Sequence, residues 1–135
     1  MPGEVVYPTV DEIHAIHDDI VAENDDTEPG VRNPDTVRSA LVYVSEGYFG
    51  TAPETIHEKA VHLLRLLVAE HPYVDGNKRT ALSTVETFYA LNGYRFEYDD
   101  ADIRSILRAL ATDADSVDVA AVVEYFRDYS RPIEE

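Results

Sequence analysis

His71-Pro72-Tyr73-Val74-Asp75-Gly76-Asn77-Lys78-Arg79 is the stretch on which the fold turns, because it joins two segments that both read as core helices. Upstream, Ile56, Ala60, Leu63, Leu64, Leu67 and Val68 recur at helical spacing and predict a central helix over about 54–70. Pro72 disfavours helix at the residue before it, so that helix stops at His71. Downstream, Ala81, Leu82, Val85, Phe88 and Tyr89 carry a helix from near Asn77 to Asn92, where Gly93 supplies a left-handed stop. The residues between are a tight connection between two buried elements.

That connection has the makings of a phosphate cradle. A helix that begins at Gly76 or Asn77 leaves its first N–H groups unpaired and presents the positive end of its dipole. Gly76 lets an anion approach the backbone closely, and Lys78 and Arg79 add adjacent positive charge. Asp75 is placed to hold a bridging cation, since Mg²⁺ takes only one or two protein carboxylates and shares its other positions with water and phosphate oxygens. His71, four residues earlier, is a candidate general base for a hydroxyl nucleophile. Taken singly, each residue has a plainer role: His71 complementing a helix C-terminus, Asp75 and Asn77 as caps, Gly76 as a turn residue, Lys78 and Arg79 as solvated surface. The combination tips the balance, because six specified residues at fixed offsets arise by chance on the order of once in tens of millions of windows.

Working outward, Thr9 and Glu12 form a capping box, and Val10, Ile13, Ile16 or His17, Ile20 and Val21 predict a helix over about 9–24. The polar stretch 24–32 contains the turn signal Pro29-Gly30. Asn33 followed by Pro34 reads as an N-cap with proline at the first helical position, opening a helix over about 34–46 through Val37, Leu41 and Val44. Two glycines then bracket Tyr48 and Phe49 in Gly47 to Pro53, which suits a flap or short hairpin whose aromatics either touch a partner or pack beneath the domain. Beyond Gly93, Tyr94 to Tyr98 alternates enough for one short strand, Asp99 and Asp100 cap a helix over about 101–111, and Ser116 caps one over about 117–129. The tail 130–135 reads as frayed. The sum is an all-α bundle of about six helices with a short flap. His14 with His17, and His57 with His62, read as surface or core-edge residues, since no carboxylate is spaced to complete a metal pattern with either pair.

Composition limits the partners. The chain has 135 residues, enough for one domain, and no cysteine, which excludes a disulfide framework, a thiolate zinc site and a cysteine nucleophile. Eleven Lys and Arg against 27 Asp and Glu leave a formal net charge of −16, so binding to nucleic-acid phosphates or to an anionic membrane surface is disfavoured. Neither a leader-like N-terminus nor an apolar run long enough to span a bilayer is present, which points to the cytoplasm. Nine Arg, only two Lys and acids spread along the whole length suit a halophilic source, where screening shrinks to about 3 Å at 1 M salt. An ordinary acidic mesophile surface is the alternative.

The pattern His71, Tyr73, Asp75, Gly76, Asn77, Lys78 and Arg79 resembles the Fic/Doc superfamily and in particular its death-on-curing (Doc) branch. Tyr7 to Ile13, Gly30 to Asn33, Ser39 to Leu41, Glu58 to Ala60, Thr80 to Leu82 and Leu91 to Tyr94 look like that branch too, so the likeness covers roughly residues 5–98. It implies a single Fic/Doc domain over 1–135, with a core at 5–98, further helices at 99–129 and the frayed tail. By the same likeness, His71 would deprotonate a target hydroxyl, Asp75 would bind Mg²⁺, and Gly76, Asn77, Lys78 and Arg79 would hold the phosphates of ATP. The flap residues Tyr48, Phe49, Gly50 and Thr51 would align the target. Fic AMP-transferases usually carry Gly where this chain has Lys78 and a second Arg where it has Leu82, and both changes match the Doc branch. That branch implies γ-phosphate transfer to a Ser or Thr of a translation elongation factor, restrained by a small antitoxin protein. An internal inhibitory helix of the form Ser/Thr-x-x-x-Glu-Gly is lacking, because Val42 stands at the hydroxyl position before Glu46-Gly47. AMP transfer, and a non-catalytic Fic-fold binding module, are the alternative readings.

Overall fold

The computed structural model describes residues 4–47 and 51–133. The chain forms α1 (Val10–Glu23), α2 (Thr36–Glu46), α3 (Ile56–Ala69), α4 (Asn77–Leu91), β1 (Tyr94–Phe96), α5 (Asp100–Asp113), a 3-10 turn (Ala114–Ser116), α6 (Val119–Asp128) and β2 (Ser130–Pro132). The all-α architecture expected from the sequence is the one observed, with a two-stranded ribbon as its only sheet among the described residues. No helix among them is long and apolar enough to cross a membrane.

The core is built around α3, which lies against α2, α4, α5 and α6. Its stripe Ala60, Leu63, Leu64, Leu67 and Val68 is buried, and the same apolar cluster takes in Ile13 of α1, Phe88 and Tyr89 of α4, Leu110 of α5 and Phe126 of α6. Local chemistry sets the helix starts. Thr9 with Glu12, and Thr55 with Glu58, make reciprocal capping boxes at α1 and α3. Asp99 caps α5, as its place before the apolar pattern predicted.

Three expectations are corrected. Asn33 does not cap α2: Asp35 occupies that position, and the Asn33 side chain turns instead to the carbonyls of Glu70 and His71. Ser116 does not cap α6, because its hydroxyl bonds Asp113 O within the 3-10 turn and Asp118 accepts from Ala121 N. Residues 130–132, expected within a frayed tail, instead form a strand, since Ser130–Pro132 pairs antiparallel with Tyr94–Phe96. That pairing is reinforced by Glu97 N donating to Tyr129 O at 2.7 Å, Ile133 N to Gly93 O at 2.8 Å, and the Arg131–Glu97 ion pair at 2.9 Å. At the other end of the chain, Asn92 ties the start of the protein to α4. Its Nδ2 donates to Val6 O (2.7 Å) and Phe88 O (2.8 Å), and its Oδ1 accepts from Val6 N (2.8 Å).

Candidate functional site

Pro72 ends α3 as predicted, and the turn it forces puts His71 at φ 48°, a left-handed conformation that a non-glycine residue adopts only where its surroundings hold it. A strap from the α1–α2 connection supplies that hold. Arg32 N and Asn33 N both donate to Pro72 O (2.8 and 3.1 Å), Val74 N donates to Gly30 O (3.0 Å), and Val31 pairs with Tyr73 in an antiparallel bridge. His71 itself remains exposed at the end of the strap.

Tyr73 is the keystone of the loop. It is 1% exposed, its ring lies parallel to that of His17 at 3.8 Å, and its hydroxyl is 2.8 Å from His14 Nδ1. Burial holds the phenol proton far above its ordinary range. The side chain of Asn77 closes the loop in both directions, accepting from Tyr73 N and donating to Tyr73 O, each at 3.0 Å. Both polar atoms of the Asn77 carboxamide thus engage Tyr73, and its backbone N–H stands at the start of α4.

Gly76 caps α4 with φ +77°, so the chain turns sharply into the helix. A Cβ there would lie 3.2 Å from Thr27 Cγ2 and 3.6 Å from His17 Nε2. The amides of Asn77, Lys78 and Arg79 have no acceptor within α4 and, among the described residues, none outside it. Asp75 stands beside them with both carboxylate oxygens engaged: Oδ2 accepts from Glu28 N at 3.1 Å and Oδ1 from Gly76 N at 2.8 Å. These two N–H groups hold its carboxyl below the usual carboxylate range, and the Arg79 guanidinium adds to the effect. The carboxylate is exposed and each oxygen keeps a free lone pair, which fits a Mg²⁺ ion shared with phosphate oxygens. Among the described residues no group of three or more acids or histidines assembles to cage a metal by protein alone.

All six residues singled out in the loop and helix start, His71, Asp75, Gly76, Asn77, Lys78 and Arg79, line one cleft of about 490 Å³, whose wall is completed by Thr27, Arg32, Val68, Val74 and Ala111. A neighbouring cleft of about 450 Å³ shares Lys78 and Arg79 and adds Arg104 and Arg108 from α5. Five of the chain's eleven Lys and Arg thus border two adjoining hollows in a protein of net charge −16. Among the described residues none of the five is in an ion pair; those found join Glu97 to Arg95 and Arg131. The flap positions Tyr48, Phe49 and Gly50 lie outside the described residues. Thr51 is exposed and does not line the cleft; its carbonyl packs against Gly47 so closely that a Cβ on that glycine would sit 1.9 Å from it.

Sequence reasoning missed Arg32, Arg104 and Arg108, and it read His14 and His17 only as surface or core-edge residues. The three-residue spacing of the histidines put both on one face of α1, and the four-residue spacing of Arg104 and Arg108 did the same on α5. Neither spacing says what that face meets.

A family model described as Fic/DOC family matches residues 7–89. Among curated proteins, one named Toxin Doc, from Mycolicibacterium smegmatis, is 39% identical over 90 residues, covering 64% of this chain and 65% of that protein. The chain thus spans just under two thirds of the length of the curated relative it matches.

Proposed function

This chain belongs to the Fic/DOC family, and from that premise we propose that it acts as a Doc-like toxin, transferring the γ-phosphate of ATP to a Ser or Thr hydroxyl of a protein target in the cytoplasm. The observation that carries the proposal is the shared cleft: an exposed imidazole at His71 opens onto the same hollow as the three unpartnered amides at the start of α4. The imidazole accepts the hydroxyl proton, the freed oxygen bonds to the γ-phosphorus, and the bond from that phosphorus to the bridging oxygen breaks, releasing ADP. The amides of Asn77, Lys78 and Arg79 receive phosphate oxygens at the positive end of α4, while the side chains of Lys78 and Arg79 neutralise charge on them. Asp75 would hold a Mg²⁺ ion, which would supply positive charge to offset that of the phosphates.

Lys78 favours this chemistry over AMP transfer. A long cation occupies space that glycine leaves open in the AMP-transferring relatives, and Leu82 supplies no second clamp, so a nucleotide enters in a different pose. A translation elongation factor is the target that the Doc branch implies. Restraint falls to a separate antitoxin protein, because α2 carries Val42 where an internal inhibitory motif would need a hydroxyl.

Purified protein incubated with a cell extract and ATP labelled on either the α- or the γ-phosphate tests the proposal. Label passing to protein from the γ-position alone is the expected result, and transfer from the α-position would replace it with AMP transfer. Induced expression is expected to arrest growth and His71→Ala to relieve the arrest. Equal arrest by that variant would leave a non-catalytic binding module as the reading.

A further inference from the structure

Resting on the proposed phosphate transfer, we infer that His17, on α1 and 58 residues before Asp75 in the loop, is a positioning residue that sets the Asp75–Gly76 peptide and through it the cation-holding carboxylate. The imidazole is 3% exposed, so it cannot touch a nucleotide or a target hydroxyl. Its Nε2 lies 2.8 Å from Asp75 O, and because a carbonyl oxygen only accepts, the proton sits on Nε2.

That bond has a directional consequence. In a regular helix start the carbonyl of residue 75 would accept from the amide of residue 79, but the left-handed turn at Gly76 swings it away from α4 towards α1. His17 is the acceptor's partner there; without it the carbonyl has no protein donor. The same peptide plane carries Gly76 N–H, which donates to Asp75 Oδ1 at 2.8 Å. Fixing the carbonyl therefore fixes the N–H, and fixing the N–H orients the carboxylate. The His17 ring is itself held by stacking on Tyr73, and its edge lies where a Cβ on Gly76 would come within 3.6 Å. Helix α1 meets the loop at Tyr73 through both His14 and His17, and His17 alone reaches the Asp75 carbonyl.

Two variants separate the hydrogen bond from the packing. His17→Phe keeps a flat ring against Tyr73 and removes the donor; His17→Gln removes the ring and keeps an N–H donor at similar reach. Hydrogen exchange of the Gly76 amide is measured on the protein without nucleotide, and KM for ATP and kcat are measured separately. His17→Phe is expected to retain its circular dichroism, to exchange about tenfold faster at the Gly76 amide and to raise KM for ATP about tenfold with kcat little changed, the worth of one hydrogen bond. His17→Gln is expected to restore both readouts to near the parent values. Parent-like exchange in His17→Phe would overturn the inference. So would faster exchange in a folded His17→Gln, which would leave only ring packing. If the parent protein transfers no phosphate, the functional proposal fails, while the exchange measurement still decides the role of His17.

Discussion

His71 is held in a left-handed backbone conformation by its neighbours, while its side chain is exposed and makes no hydrogen bond among the described residues. Truncation should therefore separate catalysis from stability. His71→Ala is expected to lower γ-phosphate transfer by about 10²–10⁴ and to shift folding stability by no more than about 0.5 kcal/mol, measured by single-turnover labelling and urea denaturation. Asn77→Asp should behave in the opposite way. The substitution keeps the shape but replaces the donor at Tyr73 O by a second acceptor, leaving that carbonyl unpaired. A loss of about 1–3 kcal/mol is expected in the same urea titration; an unchanged midpoint would mean that the clasp is not holding the loop. At this scale the positions were legible and their duties only partly so. The spacing from His71 to Arg79 marked six of the eleven residues that line the cleft, but that the Asn77 carboxamide clasps Tyr73 depends on a turn geometry no spacing reveals.

Helices were the most legible elements, because apolar spacing along α1, α3 and α4 directly states which face is buried. Their starts were legible where one side chain is placed to accept from the helix's first N–H groups, as with Thr9 and Asp99, and less so where several polar residues compete. The α6 start is such a case, with Ser116 and Asp118 both able to cap. Asp118→Ala is expected to cost about 1 kcal/mol, and Ser116→Ala much less; thermal melts of the pair check the assignment. Helix α3 also carries a pH dependence. His62 Nδ1 accepts from Arg65, 3.0 Å from Nη2, and both burial and that guanidinium keep the imidazole pKa below its ordinary 6.5. Burial, helped by Arg127, lowers His57 in the same direction. Below pH 6.5 the unfolded chain takes up protons that the folded chain refuses, so these groups withdraw stability as pH falls through that value towards their folded pKa. His62→Gln is expected to lose less melting temperature than the parent between pH 7.5 and about 5.5, a comparison in which the relief of general acidic repulsion is common to both proteins. Equal losses would show that His62 takes no part.

Over the whole molecule, charge was the most legible property and long-range pairing the least. A formal −16 is read by counting, and the structure gathers five of the eleven cations around two adjoining clefts. Most acids therefore repel one another on the remaining surface, and added salt should relieve that repulsion. Melting temperature is expected to rise between 0.1 and 1 M KCl, as the screening length falls from about 10 to 3 Å; a flat or falling trend would contradict the halophilic reading. The ribbon of β1 and β2 was invisible in Ser130-Arg131-Pro132, because so short a segment carries no apolar periodicity and becomes a strand only through a partner. The grip of α1 on the loop at 71–79 is invisible in the sequence for the same reason: it depends on where two segments 58 residues apart are brought together by the core.

The tie at Asn92 bears on how the protein ages. Asn92 precedes Gly93, the dipeptide in which a backbone nitrogen most readily attacks the adjacent carboxamide, expelling ammonia through a succinimide. Here the carboxamide is fastened to Val6 and Phe88, and the attacking Gly93 N is tethered to Ala90 O at 3.2 Å. Ring closure needs both to let go, so isoaspartate at this position should accumulate during storage in denaturant and scarcely at all in buffer, as peptide mapping would reveal. Native shape here acts as a preservative for one amide bond.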